Sequence, residues 1–65
     1  MDYKDCQKIV DATKHLFEGT GYAVEYYLDG EIYFTLNGEI IEANELPDTI
    51  KAAFDAVVET LEIEY

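Results

Sequence analysis

The chain has 65 residues, with fifteen acids against four lysines, no arginine and a formal net charge of −11. A chain of about 60 residues buries only ~60% of the surface its unfolded form exposes, which fits one small domain and leaves no room for both a core and a deep substrate cavity. The 49% hydrophobic content excludes the composition of disordered acidic chains, and the sign of the charge excludes a surface built to displace counterions from nucleic-acid phosphates.

Residues 2–18 are expected to form a helix. Cys6, Ile9, Val10, Thr13, Leu16 and Phe17 recur at helical spacing and make one apolar stripe. Asp2 is placed to cap the start, and Gly19 to take the left-handed position that ends a helix. Cys6 falls on the apolar side and reads as a small core residue, and a lone cysteine excludes an internal disulfide. His15 lies on the polar side, spaced to pair with Asp11.

The stretch "YAVEYYLDGEIYFTLNGEIIE" at 22–42 carries Asp29-Gly30 and Asn37-Gly38, two strong hairpin signals. They divide it into three antiparallel strands near 22–28, 31–36 and 39–43. Two-residue turns at both sites would set Glu25 against the core and Val24 outside. A type I turn over Tyr27–Gly30 with a glycine bulge shifts the first register by one, which exchanges the faces. Tyr22, Val24 and Tyr26 then join Ile32, Phe34, Leu36, Ile41 and Ala43 on a core face. Glu25, Tyr27, Glu31, Tyr33, Thr35, Ile40 and Glu42 occupy the other, with Glu25, Tyr33 and Glu42 in one row.

Residues 47–62 are expected to form a second helix. Pro47 and Asp48 suit its first turn, and Ile50, Ala53, Phe54, Val57, Val58 and Leu61 make its buried stripe. Asp48, Asp55, Glu59 and Glu62 fall in a narrow arc opposite. The tail "EIEY" is expected to fray or to add a short strand. The fold class is α+β, a two-layer α-β-β-β-α arrangement with a three-stranded meander and both helices on one face.

The charge is lopsided. Residues 1–14 hold three acids and three lysines, whereas residues 15–65 hold twelve acids and only Lys51. All of the net charge belongs to the strands and the second helix, beyond the magnitude of roughly 2 to 8 that solubility asks of a small domain. Carboxylates three and four residues apart repel by a few tenths of a kcal/mol per pair, and a cationic partner would relieve that repulsion and be steered in by the field. Exposed tyrosines give large contact area at low entropy cost. The candidate partner-binding residues are therefore Asp55, Glu59 and Glu62 on the helix and Glu25, Glu31, Glu42, Tyr27 and Tyr33 on the sheet.

Catalytic chemistry is not expected. Cys6 and His15 project to different sides of one helix, so no nucleophile–base pair forms. Metal binding needs clustered Cys or His, or a calcium loop, and "LDGEIYFTLNGE" has the wrong spacing. No glycine-rich loop precedes a helix with a lysine, and no cofactor is expected. The start, "MDYKDCQK", lacks the apolar run of a signal peptide, and no stretch approaches the ~18 apolar residues of a membrane span. A soluble cytoplasmic protein is the expectation.

The size, the acidity and the order helix, "YAVEYYLDGEIYFTLNGEIIE", helix resemble small phage-encoded inhibitors. In layout they are similar to anti-CRISPR proteins that occupy the DNA-binding groove of an effector nuclease. The resemblance covers the whole chain as an order of elements and implies a bacterial nuclease complex as partner in a bacterial host cell. In that reading carboxylates stand in for phosphates. Two alternatives remain open: an immunity protein neutralising a basic toxin nuclease, and a small scaffold that homodimerises through its tyrosine-bearing sheet face.

Overall fold

The structure is a computed structural model and describes residues 2–63. The first helix, α1, spans Tyr3–Thr13 and tightens into a 3₁₀ turn over Lys14–Phe17. The Asp2 carboxylate accepts from the Asp5 N–H at 3.1 Å, the expected cap. Cys6, Ile9 and Thr13 are fully buried on one stripe. The Thr13 hydroxyl donates to the Ile9 carbonyl at 2.6 Å, which meets its hydrogen-bonding need inside the core.

The strands are β1 (Tyr22–Tyr26), β2 (Ile32–Leu36) and β3 (Glu39–Ile41), an antiparallel sheet in the order β1-β2-β3. The register is the bulged one: Val24 opposes Phe34, Tyr26 opposes Ile32, and Phe34 opposes Ile41. At the first turn the Gly30 N–H donates to the Tyr27 carbonyl at 3.0 Å, and Tyr27 N–H to Glu31 C=O at 2.8 Å. Gly30 holds φ +99°, a conformation open to glycine and costly for other residues. The Asp29 side chain accepts from the Glu31 N–H at 3.2 Å and braces the bend. Asn37 (φ +52°) and Gly38 (φ +89°) form the two-residue turn with both central residues left-handed, matching the strand twist.

A 3₁₀ turn over Ala43–Glu45 leads to α2, Asp48–Thr60. This helix is shorter than the expected 47–62. Leu61 closes its end through N–H bonds to the Val57 and Val58 carbonyls, and Glu62 then turns left-handed at φ +58°. Ile63 packs against the core outside any strand, and the last two residues of the expected tail lie outside the described residues.

Both helices lie on the Val24–Phe34–Ile41 face of the sheet. The core joins Ile9 and Phe17 from the first helical segment, Val24 and Phe34 from the sheet, Leu46 from the connection, and Phe54 and Val58 from α2. Phe54 is fully buried, with ring centroids 5.2 Å from Phe34 and 6.3 Å from Phe17, both edge-on. Each such ring pair contributes about 0.5–1.5 kcal/mol beyond its area burial. Among the described residues the opposite face of the sheet carries no helix.

Candidate functional site

The uncovered sheet face is built by the period of two. With Val24 and Phe34 turned toward the helices, Ala23 and Glu25 of β1, Tyr33 and Thr35 of β2, and Ile40 of β3 lie on the other face, where Thr35 is buried, Ala23 and Tyr33 are half-buried, and Glu25 and Ile40 are exposed. Glu25 stands directly opposite Tyr33, and Ala23, Thr35 and Ile40 form the adjoining row. Tyr27, just past the end of β1, lies diagonally from Tyr33. The two rings stack with centroids 4.4 Å apart and planes 24° from parallel. Diagonal neighbours on an antiparallel pair are within aromatic reach, so the stack follows from the register. Tyr33 is half-buried and Tyr27 is 41% exposed. Glu25 and Glu31 are exposed beside them. Ile40 is 65% exposed, and Leu28, at the tip of the β1–β2 turn, is 80% exposed.

The eight candidate residues do not form one surface. Glu25, Glu31, Tyr27 and Tyr33 gather on the open sheet face. Asp55 and Glu59 sit on the outer side of α2, in the other layer of a domain measuring 26 × 22 × 19 Å. At physiological salt charge interactions decay over ~8 Å, so the two acidic sets act separately, and a flat partner meets one of them.

Three expected roles change in detail. Glu42 is exposed but lies beyond the last residue of β3, so it leaves the row with Glu25 and Tyr33. Its side chain accepts from the Glu45 backbone, while its own N–H donates to the Glu45 carboxylate at 2.6 Å, a reciprocal capping box. Glu62 lies past the helix end in a left-handed conformation, which takes it off the arc of Asp55 and Glu59. Asp55 accepts from the Lys51 ammonium through both oxygens at 2.7 Å. The helix stripe is thus shorter than the residue pattern implies and is partly neutralised.

Leu28 and Ile40 belong among the exposed residues and were not among the candidates. Ile40 follows from the register, since it pairs with outward-facing Thr35; Leu28 follows from its position as the first central residue of the bulged turn. His15 makes no ion pair or hydrogen bond with Asp11. Cys6 is fully buried in the core, and burial raises its thiol pKa above the ordinary value. Among the described residues no group of three or more His, Cys, Asp or Glu is arranged to hold a metal ion, and no helix is long and apolar enough to cross a membrane.

Comparison with protein families, with curated proteins and with solved structures finds no match to this chain.

Proposed function

We propose that the protein is an acidic binding inhibitor that lays its open sheet face on a cationic, nucleic-acid-handling partner and blocks the basic groove. The observation that carries this reading is the Tyr27–Tyr33 stack, partly exposed on the face opposite the helices and flanked by the exposed Glu25 and Glu31. Arginine suits such a plate doubly, since its guanidinium stacks on aromatic faces and forks onto carboxylates. Ile40 and Leu28 add apolar contact. The sheet is favoured over α2 because Asp55 is already bound to Lys51 and Glu62 has left the helix. An immunity protein acting on a basic toxin nuclease would use the same physics on a different partner. Self-pairing of two sheet faces is disfavoured, because each copy brings a net charge of −11.

The test starts with affinity capture from a bacterial lysate and elution along a salt gradient. The purified partner's nucleic-acid binding is then measured with and without the protein. The expected result is a partner eluting at raised salt, whose nucleic-acid binding is lost on adding the protein and restored when Glu25→Lys and Glu31→Lys are introduced together. Asp55→Lys with Glu59→Lys should leave most of the inhibition in place. Inhibition indifferent to salt and to the sheet-face reversals would overturn the proposal.

A further inference from the structure

The sheet is unfinished at β1. In the β1–β2 ladder the Tyr27 N–H donates to Glu31 C=O and the Asn37 N–H to Gly21 C=O, each at 2.8 Å. Antiparallel ladders alternate, so Ala23 and Glu25 direct their backbone groups at β2, and Val24 and Tyr26 direct theirs away from the sheet. Among the described residues these outward groups of Val24 and Tyr26 have no partner; the outward N–H of Tyr22 is met by the Thr20 hydroxyl at 3.1 Å. Proteins blunt such edges with lysine, proline, a bulge or a covering element. The strand "YAVEY" contains neither lysine nor proline, and its bulge lies beyond it at Gly30.

The cover is also incomplete. A groove of about 350 Å³ runs between this edge and the first helical segment, with Val10, Lys14, Phe17 and Glu18 on the helix side and residues 22–25 on the other. Residues 22–25 line this groove, so the outward backbone groups of Val24 are presented to it, where an added strand can pair with them.

We propose that this slot receives an extended segment of the cationic partner as a fourth strand paired to β1. The two faces of the slot specify its pattern. Residues of the added strand on the core side meet Val10 and Phe17 and are apolar, with the exposed Lys14 and Glu18 beside them on the helix side. Residues on the open side lie beside Glu25 and are lysine or arginine. A second copy of this chain offers the same backbone but carries the same excess negative charge. The inference deepens the proposed binding function and rests on its cationic partner.

The experiment uses the isotopically labelled full chain and a short synthetic peptide alternating valine with arginine. Amide hydrogen exchange is followed by NMR. Saturating peptide should slow exchange at Val24 and Tyr26 by about tenfold or more, equivalent to ~1.4 kcal/mol, with little change at Ala23 and Glu25, which the ladder already protects. The same peptide N-methylated on alternate residues should give no slowing, and Glu25→Lys should weaken binding of the arginine peptide. Unchanged exchange at Val24 and Tyr26 overturns the inference, as does equal slowing by a valine–glutamate peptide. Slowing that grows with protein concentration in the absence of peptide also overturns it, because a second copy then fills the slot. These failures leave the sheet-face proposal standing if Glu25→Lys with Glu31→Lys still abolishes inhibition; loss of that effect refutes the sheet face itself.

Discussion

Replacing Gly30 with alanine tests the turn on which the outward position of Glu25 and Tyr33 depends. Gly30 sits at φ +99°, outside even the left-handed helical region that other residues visit near +50 to +70°. Forcing an L-residue into left-handed backbone costs roughly 1–2 kcal/mol. A 65-residue domain at roughly 0.05–0.15 kcal/mol per residue has a total stability of only ~3–10 kcal/mol, so the loss is a sizeable fraction. At about 4–8 °C per kcal/mol for a domain this small, Tm should fall by roughly 5–15 °C. The assay is thermal unfolding followed by circular dichroism, with a chemically synthesised D-alanine variant beside Gly30→Ala. D-alanine accepts positive φ and should hold or raise Tm. An L-alanine variant as stable as the parent, or equal losses from both enantiomers, would refute the argument from backbone conformation. A variant that stays folded should keep the Val24–Phe34 cross-strand contact in NMR spectra; its absence would mean that the strand had slipped.

Phe54→Ala removes the fully buried ring that contacts Phe17 and Phe34, at a cost of about 3–5 kcal/mol, comparable with the whole stability; dispersed amide NMR signals should collapse, and a well-folded variant would contradict this account of the core. A double-mutant cycle on Tyr27→Ala and Tyr33→Ala should return a coupling of about 0.5–1.5 kcal/mol in denaturant unfolding, and additive single effects would deny the stack an energetic role. The Cys6 thiol should react with a disulfide reagent only after unfolding, since burial closes it to solvent and raises its pKa. The linked pH effect has a fixed sign. The unfolded thiol releases its proton first, so stability is full below about pH 8.5 and falls as pH rises through the window up to the raised native value; Cys6→Ala should flatten that part of the decline, and an unchanged slope would refute the linkage.

The hairpins were legible because their signals are local. Asp29-Gly30 and Asn37-Gly38 specify positive φ, and the alternation of apolar and acidic residues on both sides of Gly30 selects the bulged register over its one-residue slip. The helix stripes were legible for the same reason, as Cys6, Ile9, Thr13, Phe54 and Val58 are all buried. The end of α2 was not. A left-handed C-terminal position is usually marked by glycine or asparagine, and here Glu62 takes it. The Glu42–Glu45 box was readable only in part, since the spacing is right but serine or threonine normally occupies the first position. Separation of the two acidic sets was beyond local pattern. Periodicity assigns Glu25 and Glu59 each to an outward face, and it is the expected packing of both helices on one side of the sheet, a global feature, that sends those faces in opposite directions.

Tyr27 opens the bulged turn and is held there by its own hydrogen bonds, and Tyr33 lies within β2, where the two rings stack. If the stack holds both rings in place, the plate would have less rotamer freedom to surrender when something lands on it, since ordering an adaptable side chain costs about 0.5–1.5 kcal/mol apiece. Encounter rates would then reflect diffusion, orientation and charge attraction alone. Differences in tightness among targets would emerge in how long each one stays, so residence time, rather than speed of capture, is the quantity in which the geometry of this face would be expressed.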